Sequence, residues 1–154
     1  MTSDVSLKGK LQSDLNGAIK SRNTVVAETI RMVLSAITNE EVAGKEKREL
    51  SDAEVITVLT REAKKRREAA EAFENGGRAD RAAAERAEGE VIASYLPEQL
   101  TEDDIKKLIA ETIAAVGAAG PSDMGKVMGS LKAKVAGKAD GALVSSLVKE
   151  ALNK

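Results

Sequence analysis

From Leu7 to Leu152 the aliphatic residues recur at intervals of three and four, and no stretch shows the strict alternation of a strand. Side chains spaced in this way gather on one face of a helix, and that face must be buried against other helices. Four such segments precede Pro97. The first runs from about Asp4 to Lys20, with Leu7, Leu11, Leu15, Ala18 and Ile19 on its stripe, and the second from about Asn23 to Val42, with Val26, Ile30, Val33, Leu34 and Ile37. After a charged loop from Gly44 to Leu50, Ser51 and Glu54 form a capping-box pattern that opens a third helix, carried to about Glu74 and stopped at Asn75-Gly76-Gly77. A fourth spans about Ala79 to Leu96 and is ended by Pro97, which cannot continue a helix.

Three more segments follow. Thr101-Glu102-Asp103-Asp104 places acids in the first turn of a fifth helix, striped by Ile105, Leu108, Ile109, Ile113 and Val116 and closed between Gly117 and Pro121. The sixth begins near Ser122, carries Met124, Val127, Met128, Leu131 and Val135, and stops at Gly137. Asp140 caps the seventh, which buries Leu143, Val144, Leu147, Val148 and Leu152. The expected architecture is all-α: an N-terminal helical bundle over 1–96, a linker over 97–100 and a small three-helix domain over 101–154.

With Phe73 and Tyr95 as its aromatic residues, the chain must build its cores from Ala, Val, Leu and Ile. Such cores bury little area per residue and give modest stability at about 25 cal/mol per Å². There is no Cys and no His. That excludes disulfides, thiolate nucleophiles, the commonest zinc ligands and the usual base near neutral pH. Neither a catalytic residue nor a metal or cofactor site is expected. Ser145-Ser146 with Lys149 lies on an amphipathic helix and reads as incidental, and Asp103-Asp104 reads as a helix start. Neither Gly-Lys pair has the spacing of a phosphate loop. No apolar run follows Met-Thr-Ser-Asp, and none approaches the ~20 residues of a membrane span. The expected protein is soluble and cytoplasmic, with no membrane partner.

The net charge of −1, from 24 basic and 25 acidic residues, requires any binding to nucleic acid to use a local patch. Two candidates stand out. On the third helix, Val55, Leu59, Ala63, Ala70 and Phe73 mark the buried stripe, leaving Arg61, Lys64, Lys65 and Glu68 outside. Glu62 and Arg66 have the spacing of a favourable i,i+4 pair. Arg66 falls inside the stripe, so it either meets Glu85 or Glu88 of the fourth helix or faces a ligand in a cleft. Lys64, Lys65, Arg66, Arg67 and Arg78 form this basic group. On the sixth helix, Gly125 and Gly129 share one face, and bare backbone admits either another helix or a sugar-phosphate strand. Lys126, Lys132, Lys134 and Lys138 lie nearby, with Met128 between the glycines and free amides expected at the Ser122 end.

Two stretches carry a resemblance. One is Lys64-Lys65-Arg66-Arg67-Glu68-Ala69, with Phe73, Gly77-Arg78, Asp80, Glu85 and Glu88, then Tyr95-Leu96-Pro97-Glu98-Gln99-Leu100. The other is Gly120-Pro121-Ser122-Asp123-Met124-Gly125-Lys126-Val127-Met128-Gly129, then Gly137-Lys138-Ala139-Asp140-Gly141 and Val144 to Leu152. Together they resemble the GatB/YqeY family in its free-standing, YqeY-like form, over nearly the whole chain and in order. The resemblance implies a helical bundle followed by a three-helix unit. That arrangement is similar to the C-terminal tail of the B subunit of the glutamine-dependent tRNA amidotransferase, where the tail helps hold the tRNA body. It associates the chain with carbon–nitrogen ligation using glutamine as amide donor, in which a chain without Cys, His or an ATP site serves as an accessory. The expected role is therefore RNA binding, of tRNA above all, through Gly125, Lys126, Met128, Gly129, Lys132, Lys134 and Lys138. The alternative is a protein adapter docking on an amidotransferase or an aminoacyl-tRNA synthetase.

Overall fold

A computed structural model describes residues 6–153. Among them are seven α-helices, one 3-10 turn and no strand, so the protein is all-helical. The chain divides into two compact units, one ending at Leu96 and the other beginning at Pro97.

The first unit contains α1 (Leu7–Lys20), α2 (Thr24–Glu41), α3 (Asp52–Asn75) and α4 (Ala79–Ala93). Ser6 caps α1 by accepting from the Gly9 amide at 3.0 Å; the expected start at Asp4 lies outside the described residues. The Ser51–Glu54 capping box forms in full, with the Glu54 amide donating to Ser51 Oγ and Glu54 Oε1 accepting from the Ser51 amide, both at 3.2 Å. Leu11, Ile30, Ile37, Val55, Leu59 and Ile92 meet in the core, and α3 packs most extensively on α4. Phe73 stays only half-buried, because the stripe of α3 outruns its neighbours near the Gly76–Gly77 stop.

The fourth helix ends at Ala93, three residues before the expected Leu96. A proline ring clashes with the carbonyl four residues back. For Pro97 that carbonyl belongs to Ala93, so the chain tightens beforehand into turns, with Tyr95 N on Ile92 O and Leu96 N on Ala93 O. The Tyr95 phenol then donates to Asp14 Oδ2 on α1 at 2.5 Å, while Lys10 Nζ stands 5.6 Å from the ring centroid. Burial, followed by the Asp14 carboxylate, pushes the phenol's pKa well above its usual range.

The second unit contains α5 (Glu102–Val116), a 3-10 turn (Pro121–Asp123), α6 (Met124–Val135) and α7 (Gly141–Leu152). Thr101 and Asp104 form a second full capping box. Gly117 and Gly137 take the left-handed conformations (φ 68° and 72°) that end α5 and follow α6. Ile105, Ile109, Val127, Leu131, Val144 and Val148 form the core. Leu143, expected inside, is 39% exposed, since it falls at the edge of the stripe that Val144, Leu147, Val148 and Leu152 bury. The residues after Pro97 belong to this unit through hydrogen bonds, from Leu100 N to Lys138 O at 2.8 Å and from Gln99 Nε2 to Gly137 O at 2.8 Å.

Candidate nucleic-acid interface

The sixth helix is anchored by Val127, Leu131 and Val135, which are buried. Its opposite face carries Gly125, Lys126, Gly129 and Lys132, all exposed. At 3.6 residues per turn, Lys126 and Lys132 stand about 60° to either side of Gly129. No atom lies within 4 Å of the position that a Cβ would take at Gly125 or Gly129. The backbone at these two glycines is open, flanked by the exposed Lys126 and Lys132.

The other sequence candidates on this segment separate. Met128 is half-buried and packs on the core, so it faces away from the two glycines. Lys134 is exposed but lies about 140° around the helix from Gly129. Lys138, beyond the helix, lines a polar groove of about 470 Å³ with Glu98, Gln99, Asp104, Lys107 and Glu111. Lysines that cluster along the chain thus reach three parts of the surface.

Charge along the segment is one-signed. Between Met124 and Ala139 there are four lysines and no acid, and none of the four makes an ion pair among the described residues. Lys132 and Lys134 occupy the last turn of α6, where the helix dipole favours a cation. Lys126 lies near the other end, where the dipole disfavours one. The Asp123 carboxylate, just upstream, offsets that cost. It accepts from Ala119 N at 2.8 Å, and this bond first, with help from Lys126, holds its pKa below the usual carboxylate range. Asp123 stands just before α6 without capping it through its side chain, its carboxylate being held by Ala119 N instead.

The basic residues of the first unit are mostly engaged. Arg66 donates through Nη1 to Glu85 Oε2 at 3.1 Å and to Glu88 Oε2 at 3.5 Å, with its side chain 21% exposed. Its buried Nε has no hydrogen-bond partner. The expected Glu62–Arg66 pair does not form: Glu62 is turned inward and pairs with Lys65 Nζ at 3.1 Å. Arg66 serves the α3–α4 seam, where two carboxylates outweigh a weak pairing along one helix. Arg78 pairs with Asp80 at 3.4 Å, Lys64 is half-buried, and Arg67 is exposed. On α3 these side chains point around the helix in different directions and do not form one patch.

Two features escaped sequence reasoning. Glu41, at the end of α2, is buried and accepts from Lys8 Nζ at 2.9 and 3.0 Å and from Leu50 N at 3.3 Å. The Lys8 bond is the main cause of its lowered pKa. The other is a groove of about 350 Å³ at the α1–α2 corner, edged by Arg22 and Arg31. Among the described residues, no group of His, Cys, Asp or Glu is arranged to hold a metal ion, and no helix is long and apolar enough to cross a membrane.

The comparison with known proteins agrees with the sequence motifs. The chain is similar to the fungal "Altered inheritance of mitochondria protein 41, mitochondrial" of Pyrenophora tritici-repentis, 28% identical over 144 residues, covering 92% of this chain and 78% of the relative. It is also similar to an uncharacterised protein of Schizosaccharomyces pombe, 33% identical over 94 residues, covering 60% of this chain and 74% of that one. The profile of the Yqey-like protein family matches residues 8–152, nearly the whole length, and the chain accordingly belongs to the Yqey-like family.

Proposed function

We propose that this protein is an accessory RNA-binding module, with tRNA as its substrate class, which seats a stretch of phosphate backbone on the flank of α6. The observation that carries the reading is the open face of Gly125 and Gly129 between Lys126 and Lys132. An exposed helical glycine is less stable than alanine by about 0.5–1 kcal/mol. Two of them on one exposed face, with no neighbour to accommodate, are explained by a partner that approaches the backbone closely. The likeness to the amidotransferase tail points the same way. Contacts of this kind read phosphates and shape, because one Phe and one Tyr do not make a base-stacking platform. The protein then contributes binding, not chemistry, to glutamine-dependent carbon–nitrogen ligation. The absence of cysteine fits a reducing compartment with active translation, and we assign the cytoplasm, although the Pyrenophora relative is mitochondrial by name.

The test is a filter-binding titration with mixed tRNA at low salt. Retention at micromolar protein that falls steeply with added salt is expected. No retention at high micromolar protein sinks the proposal.

A second reading, a protein adapter, is favoured by a groove of about 400 Å³ between α5 and α7. Ile109, Ile113, Leu147 and Ala151 line it, with Lys106 and Glu150 at its edges. It suits the apolar face of a partner helix. Capture from cell extract separates the readings: partners lost on RNase treatment favour RNA, and partners retained favour the adapter.

A further inference from the structure

The α1–α2 corner of the first unit has no part in the RNA track. After α1, Arg22 N bonds Ile19 O at 3.2 Å and Asn23 N bonds Ala18 O at 2.9 Å, closing the helix around Arg22 at φ 59°. The other left-handed positions among the described residues, 77, 117 and 137, are all glycine, which adopts this conformation freely. Here an arginine occupies the glycine position. Its side chain edges the corner groove, as does Arg31 one helix further on.

The groove's lining has complementary chemistry. Arg22 and Arg31, like Arg67 and Arg81, make no ion pair among the described residues, whereas Arg48, Arg61, Arg66, Arg78 and Arg86 of the same unit are paired with carboxylates. Glu28 stands in the same wall without a lysine or arginine bound to it. Ile19 is 47% exposed beside them, and Ala27 forms part of the floor. A volume of about 350 Å³ lies in the range of small-ligand pockets. Two free guanidiniums match a phosphate, a lone carboxylate matches hydroxyl donors, and an exposed apolar side chain matches a flat ring.

We propose that this groove binds a ribonucleotide, with the phosphate on Arg22 and Arg31, a ribose hydroxyl donating to Glu28, and the base against Ile19. A free nucleotide and a nucleotide within an RNA strand both present this chemistry. The proposal stands independently of the α6 track.

Nitrogen–proton correlation spectra of the full chain test it, with 5′-AMP, 2′,3′-dideoxy-AMP, inorganic phosphate and an octamer of uridylate as probes. AMP is expected to shift the amides from Arg22 to Glu28 and the Nε signals of both arginines while leaving α6 unmoved. The dideoxy analogue should bind about 2–10-fold more weakly, the effect of losing one hydrogen bond. Arg22→Gly relaxes the backbone and removes the guanidinium, so it should melt no lower than the parent yet lose the AMP response. Arg31→Gln should lose it too. Shifts with AMP and the octamer alike identify a free nucleotide as a sufficient ligand, and shifts with the octamer alone identify an RNA-borne one. No shift with either, an undiminished response in folded Arg22→Gly, or equal responses to phosphate and AMP would overturn the proposal.

Discussion

The Arg66 guanidinium on α3 donates to the Glu85 carboxylate on α4 at 3.1 Å, and Glu88 stands close behind at 3.5 Å. One cation thus holds two carboxylates that stand one turn apart on α4 and would otherwise repel each other at a mostly buried seam. Removing it should cost more than a surface pair, for which about 0–1 kcal/mol is typical. Arg66→Ala should lower the stability of the first unit by about 1–2 kcal/mol, less than for a fully buried pair because water reaches a fifth of the side chain. Urea denaturation measures it. An unchanged midpoint in Arg66→Met as well would assign this arginine to a ligand instead.

Gly89, on α4, faces the same arginine. A Cβ added there would lie 3.7 Å from Arg66 Cβ, an ordinary van der Waals contact. Gly89→Ala should therefore gain about 0.5–1 kcal/mol from helix propensity without a clash. A lower melting temperature would show that the α3–α4 seam has no such room.

Gly125→Ala and Gly129→Ala should behave differently. Each should stabilise the second unit by about 0.5–1 kcal/mol, since nothing opposes the new methyl. Each should also weaken tRNA retention. Stabilised protein with unaltered RNA binding would remove the glycine track from the interface.

Lys126→Gln and Lys132→Gln should each reduce the slope of log affinity against log salt by about 0.7–0.9 if each lysine meets one phosphate. Lys149→Gln, on α7, serves as the control and should leave the slope alone. Equal losses from all three would indicate diffuse attraction, with no defined track.

Acidification should act through Glu41. Lys8 first, and then the Leu50 amide, hold its carboxyl below the ordinary 4.5, so protons bind the unfolded chain more readily than the folded one. Its stabilising contribution is whole above about pH 4.5 and is lost as pH falls through the lower folded value. Glu54 and Asp104, each lowered chiefly by the backbone amide of its capping box, add to the same trend. Glu41→Gln should melt lower than the parent at pH 7, and the two curves should converge below pH 4. Parallel curves would remove Glu41 from the acid response.

Helix identity was legible because period, caps and glycine stops are local signals. The Ser51 box and the Asp140 cap form where the sequence placed them. The Ala93 end was misplaced because Pro97 acts on a carbonyl four residues upstream. Glu41 escaped because its partners lie 33 and 9 residues away, beyond any helical spacing. On α6, angular arithmetic placed the two glycines together. Nearness along the chain exaggerated Lys134 and Lys138, which the helix and its following turn carry elsewhere. Arg22 gave no sign at all, since its left-handed conformation occurs without the glycine that usually announces it.

The bare face of α6 also has a kinetic side. Two glycines in a helix of twelve residues lower the barrier to local opening, and the amides of α6 should exchange with deuterium sooner than those of α5 or α7. A strand lying along that face must first still it, which spends part of the binding energy and shortens the life of the complex. On the proposed RNA-binding reading, the glycines that let a strand come close would also let it leave quickly.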